Sequence, residues 1–143
     1  MRKILFILFF AISIFAKSQI TITNEHYKVW MPVMNAIEKI ESGGNEKVVS
    51  SNGLWVGCMQ ISTCLVNAVN KIQGKKIYTY NDRYSRQKSQ EMFIIFQETY
   101  NPKRNPEKAA RLWNSGDLKC MQRKAKTERY YQKFKRHYSE NES

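Results

Sequence analysis

One carboxylate in this chain stands where proton transfer is physically plausible. Glu41 ends an amphipathic segment and is followed at once by Ser42-Gly43-Gly44. A polar loop carrying Asn45, Ser50, Ser51, Asn52 and Gly53 comes next, then an apolar run holding Gly57 and Gln60. Glycine accepts the left-handed conformation that closes helices, so Gly43 and Gly44 put Glu41 in a last helical turn. The partial negative charge of a helix C-terminus and a core-facing neighbour such as Ile40 both disfavour the ionised carboxylate. A general acid that works near neutral pH needs that environment. Taken alone, such a glutamate is more commonly a solvated surface residue.

No other acidic residue sits in a recognisable second-carboxylate motif. Asp82 and Asp117 are the only aspartates in the chain. Asp82 reads as bracing a helix start or pairing with Arg83, and Asp117 stays a candidate for a role near Trp113-Asn114. His26 and His137 lack a nearby partner motif and read as surface residues. Cys58, Cys64 and Cys120 leave at least one thiol unpaired, and three pairings are open. Cys58 and Cys64 fall in apolar patterns and read as small buried hydrophobes. Neither a CxxC nor a His/Cys cluster occurs, so no metal and no cofactor is expected.

The elements that must position Glu41 are helical. Trp30, Val33, Met34, Ile37 and Ile40 recur at helical spacing within Tyr27–Glu41, with Pro32 tolerable only near the start. Ile61, Cys64, Leu65, Ala68, Val69 and Ile72 mark a second helix, closed by Gly74. Ile77–Tyr84 reads as a short extended strip or loop. A third helix spans about 85–100 with Met92, Phe93, Phe96 and Tyr100 as its stripe, and Asn101-Pro102 stops it. Asn105-Pro106 opens a fourth, which ends at Ser115-Gly116. Lys119–Lys126 reads as an irregular basic connection, and Thr127 as the cap of a last helix bearing Tyr130, Tyr131, Phe134 and Tyr138. The class is all-α, with little or no strand.

Arg2 and Lys3, the apolar run Ile4–Phe15 and then Ala16-Lys17-Ser18 have the form of a secretory signal peptide. The run is shorter than the roughly 20 residues a membrane span needs. Residues 1–18 are therefore read as a signal and 19–143 as one domain, exported to the periplasm or secreted, without stable membrane insertion after cleavage. Removing that signal takes three basic residues and no acidic ones, lowering the net charge from +12 to +9. Such a surface attracts polyanions. Export makes nucleic acid the weaker choice, whereas cell-wall glycan carries lactyl and peptide carboxylates.

The stretch Glu41-Ser42, Asn45, Ser50, Gly53 and Gly57-Cys58-Met59-Gln60-Ile61 resembles the catalytic motif of the lysozyme-like lytic transglycosylases (the SLT domain). Its spacing from Glu to Gln is one residue longer than the commonest form, and Cys58 stands where Leu or Pro is usual. Ala110-Arg111-Leu112-Trp113-Asn114-Ser115-Gly116 resembles that family's Tyr-Asn-Ala-Gly motif with tryptophan in place of tyrosine. Asn81-Asp82-Arg83-Tyr84 and Lys88-Ser89-Gln90-Glu91-Met92-Phe93 are similar to its small exported members. The resemblance implies a single-domain lysozyme-like fold, and cleavage of the β-1,4 bond between N-acetylmuramic acid and N-acetylglucosamine in peptidoglycan glycan strands. Glu41 would act as acid and then base, leaving a 1,6-anhydro end. It further implies that Gln60 and Asn114 line the groove. Ser50 reads as a hydrogen-bond partner that orients Glu41, and Trp113, with a tyrosine such as Tyr78 or Tyr80, as a wall for the carboxyl group that also stacks on a sugar ring, although packing is the commoner role of a tyrosine. A monomer is expected. The competing readings are a hydrolytic muramidase, a catalytically inactive wall-binding protein on the same fold, and a basic nucleic-acid binder.

Overall fold

A computed structural model describes residues 19–140. The segment read as a signal peptide lies outside them. The described chain is all-α: α1 (Asn24–Ser42), α2 (Thr63–Gln73), α3 (Arg86–Tyr100), α4 (Pro106–Ser115) and α5 (Glu128–Glu140), joined by short 3-10 turns. Among the described residues no helix is long and apolar enough to cross a membrane.

Local chemistry sets most of the boundaries. A capping box between Thr23 and His26 starts α1, and Gly43 closes it at φ 65°. The helix begins earlier than the apolar stripe suggests, so Pro32 falls in its interior rather than its first turn. Proline there removes one ladder hydrogen bond. Burial of Trp30, Val33 and Met34 on either side of it offsets that loss. Ser62 and Ser85 cap α2 and α3 through their hydroxyls. Asn105 caps α4 with Pro106 in its first turn, and Gly116 ends it, as the sequence predicts.

Two connections and one cap differ from expectation. Of the strip and loop readings of Ile77–Tyr84, the strip is absent: residues 77–79 are irregular and Tyr80–Tyr84 is a 3-10 turn, because Asp82 accepts hydrogen bonds from the Thr79 backbone and hydroxyl at 2.6 and 3.0 Å. Bracing a helix start was one of the two roles expected of Asp82. The basic segment before α5 also folds into 3-10 turns, Cys120–Gln122 and Lys124–Thr127. Thr127 is buried and runs straight into helical geometry at Glu128, so it does not cap α5. Its hydroxyl meets the guanidinium of Arg111 at 3.0 Å instead.

The core gathers around α3. Met92, Phe93, Ile94 and Ile95 are all fully buried. Residues 92–97 are buried on every face of the helix, and α1 and α2 pack against it. The stripe expected from the sequence covers only part of that burial. Helix α5 closes the opposite side, packing on α1 and α4. The buried Arg111 of α4 secures it, reaching the Lys124 carbonyl at 2.8 Å and Glu128 at 2.7 Å while stacking over Tyr131. Residues 48–61 fold over the end of α1 through two isolated antiparallel bridges, Val49 to Val56 and Val56 to Ile61.

Candidate active site

The last turn of α1 delivers Glu41 into an open cleft of about 510 Å³, where Gln60, Trp113 and Asn114 also line the wall. Residues that are far apart in sequence therefore meet at one place. Phe96 and Leu112 supply apolar lining, and Trp55 and Cys64 add to the rim. Glu41 is the only carboxylate among the described residues that line the cleft.

Burial holds the Glu41 carboxyl above its ordinary range, although a hydrogen bond from Tyr130 and the charge of Lys133 pull the other way. The Tyr130 hydroxyl donates to Glu41 Oε1 at 2.7 Å. Burial, and the Glu41 carboxylate itself, keep that phenol protonated far above its ordinary value. Tyr130 is thus a fixed donor rather than a second titrating base. The two residues lie 89 positions apart, and nothing local in the sequence announces their pairing. The arrangement can give a proton to a leaving oxygen and later take one back.

Two loops fix the floor of the site. Ser42 Oγ donates to the Cys58 carbonyl at 2.7 Å and accepts from the Gly44 N–H at 3.0 Å, stitching the end of α1 to the motif loop. Arg86 bonds Glu38, Glu46 and the Gly44 carbonyl, which holds the Gly43-Gly44 turn from outside. Gly57 adopts φ 84°, and a Cβ there would lie 1.9 Å from the Arg83 carbonyl oxygen. Only glycine fits that contact.

Several expected residues do something else. Ser50 does not touch Glu41. Its hydroxyl bonds Asn52 at 2.8 Å and accepts from the Trp55 N–H at 3.0 Å, so it shapes the exposed tip of the loop. Ser51 to Trp55, which follow it, are exposed. Gln60 lines the cleft, but its amide nitrogen donates to the carbonyls of Val48 and Gly57 at 3.2 and 2.9 Å. Only its carbonyl oxygen remains to meet a ligand. Trp113 is a wall of the cleft, packed on Phe93 and Phe96, and its indole N–H holds the Met59 carbonyl at 3.2 Å.

Tyr78 and Tyr80 lie away from Glu41, at a second cavity of about 480 Å³ beside α2. Tyr78 is buried and donates to Glu91 at 3.1 Å, and Tyr80 bonds Asn67 at 3.3 Å. Tyr130 takes the position beside the carboxyl group that the sequence reading gave to them. Asp117 turns the chain after α4, accepting from the Lys119 N–H and pairing with Arg123 at 3.1 Å.

The histidines also depart from the surface reading, since both are half-buried. His26 closes the cap of α1, accepting from the Thr23 N–H at 3.0 Å. All three cysteines are free. Cys58 and Cys120 are buried, and burial pushes the Cys58 thiol up to about 12. Cys64 is exposed at the cleft, contrary to its apolar pattern, because it sits on the outer edge of α2 while Val66 and Val69 face the core. Among the described residues no group of His, Cys, Asp or Glu side chains gathers to hold a metal ion.

Comparison of the chain with protein families, with curated proteins and with solved structures finds no match.

Proposed function

We propose that the protein is a peptidoglycan lytic transglycosylase with a lysozyme-like fold. The observation that carries this reading is a half-buried Glu41, proton-retaining and alone as a carboxylate in a cleft it shares with Gln60, Trp113 and Asn114. The order and spacing of the motifs that hold these residues support the same family.

In this reading the glycan lies in the cleft, with a sugar face against the exposed ring of Trp55. Glu41 donates its proton to the oxygen that links C1 of N-acetylmuramic acid to C4 of N-acetylglucosamine. The C1–O bond breaks and positive charge develops at C1. Glu41, now a carboxylate, accepts the proton from the 6-hydroxyl of the same muramic acid. That oxygen bonds to C1 and closes the 1,6-anhydro ring. Glu41 ends protonated, as it began, and no water is consumed. The Tyr130 hydroxyl steadies the carboxylate in the interval between the two transfers.

Ordinary glycosidases need a second carboxylate to activate water or to attack C1. An internal hydroxyl removes that need, which is why a one-carboxylate cleft favours this route over a muramidase. Digestion of purified cell wall followed by mass spectrometry tests the proposal. Anhydro-muropeptides are expected. Reducing-end muropeptides would make the protein a hydrolase, and absence of soluble products would make it a binding protein.

A further inference from the structure

Part of the positive charge around the approach to α5 is matched within the fold. Arg111, Arg123 and Lys124 each pair with a carboxylate. On the exposed face of α5, from its first turn onward, the pattern changes. Arg129, Lys133 and Arg136 are exposed, and none of them has an ion-pair partner among the described residues. Their spacing of i, i+4 and i+7 puts them on one face. At 1.5 Å per residue the stripe is about 10 Å long.

This face adjoins the candidate site. Tyr130, which bonds Glu41, lies on the neighbouring edge of the same helix, one residue from Arg129 and three from Lys133. None of the three cations lines the cleft where the sugars would lie. Their side chains therefore stand beside the glycan path rather than within it, although the charge of Lys133 reaches Glu41.

We infer that the Arg129–Lys133–Arg136 stripe binds the carboxylates of the peptide stems that project from the glycan strand. The inference rests on the proposed function, which supplies a substrate with such stems. Where a stem is attached, the lactyl carboxyl of the sugar is the amide that carries it and has no charge, and two observations agree in selecting the stems. The stripe is longer than one carboxylate can neutralise, and it stands outside the cleft that would hold the ring carrying the lactyl group. Lys and Arg at this separation suit several acidic groups spread along a flexible peptide.

The test measures sedimentation of Glu41→Gln protein, which cannot turn over, with three insoluble polymers. These are intact peptidoglycan, peptidoglycan stripped of its stems by an amidase, and neutral chitin. In the same background R129Q/K133Q/R136Q should bind intact peptidoglycan at least about ten-fold more weakly and lose most of the salt dependence of binding. Its binding to stripped glycan and to chitin should match the parent. Circular dichroism and the thermal midpoint establish that the triple variant is folded, as is expected for exposed positions.

Equal binding of the variant and its parent to intact peptidoglycan would overturn the inference. So would an equal loss on stripped glycan, where the amidase leaves only newly freed lactyl carboxylates, because the stripe would then not require stems. A loss confined to duplex DNA, measured in parallel, would assign it to nucleic acid. Cleavage by wild-type protein is assayed separately, so a failure of the proposed activity is seen apart from a failure of the stripe.

Discussion

Glu38 and Glu41 sit one helical turn apart at the end of α1, and the fold treats them in opposite ways. Glu38 is buried, and its two oxygens are held by Arg86 at 2.9 Å and Gln90 at 3.0 Å. Arg86 continues to Glu46 and to the Gly44 carbonyl, so the pair fastens the turn that follows the helix. Glu41 has no such cation in hydrogen-bond reach. Its neighbour is the neutral hydroxyl of Tyr130, and burial raises its pKa. Both Glu38 oxygens are taken up by fixed partners, whereas Glu41 faces an open cleft beside a phenol. The first therefore holds geometry and the second is available for chemistry.

That contrast can be broken most sharply at Glu41. Glu41→Gln keeps the shape and the acceptor for Tyr130 but removes the proton, so wall cleavage should fall by at least about a thousand-fold. Its far-UV spectrum should not change. Glu38→Gln should do the reverse. Loss of the pair with a half-exposed Arg86 should lower the unfolding free energy by about 2 kcal/mol, read by urea denaturation, with a smaller loss of activity than at Glu41.

Tyr130→Phe probes the partner rather than the acid. Cleavage should drop about ten-fold. The hydroxyl favours the ionised carboxylate, so its removal should raise the Glu41 pKa further. In the proposed mechanism cleavage needs protonated Glu41, so the alkaline limb of the pH–rate profile should move to higher pH.

A smaller effect separates the two glutamates in stability. The folded state binds the Glu41 proton more tightly than the unfolded chain, whose ordinary value is 4.5. The stability this supplies is complete below that value and is lost as pH rises through the folded pKa. Glu41→Gln should therefore gain on wild type over that rise, in thermal midpoints measured across the same buffers. Smallest of all is Ser50→Ala. Because Ser50 bonds only its own loop, cleavage should change by less than about two-fold, with the pH profile unmoved.

The helices, most of their caps and the position of Glu41 in a last turn are legible in the sequence because they depend on neighbours in the chain. Gly43, Gly116, Asn105 and the apolar stripe of α1 act within one turn of themselves. The convergence of Gln60, Trp113 and Asn114 is legible only through motif order. Tyr130 could not be found this way, since its meeting with Glu41 depends on how α5 docks on α1 and α4. The docking depends in turn on the buried Arg111, a charge that local patterning would place on the surface. Ser50 was misplaced for a related reason. A polar loop residue bonds its nearest backbone more easily than a distant carboxylate. Helix α3 shows the limit of stripe counting, because Ile94 and Ile95 are buried off the expected face.

The most direct test of a single-acid cleft is digestion of purified cell wall in water enriched in heavy oxygen, with wild-type and Glu41→Gln protein side by side. Wild-type protein should release anhydro-muropeptides that carry no heavy oxygen, and the variant should release none. Heavy oxygen at the new sugar end, or release that survives in the variant, would contradict the account.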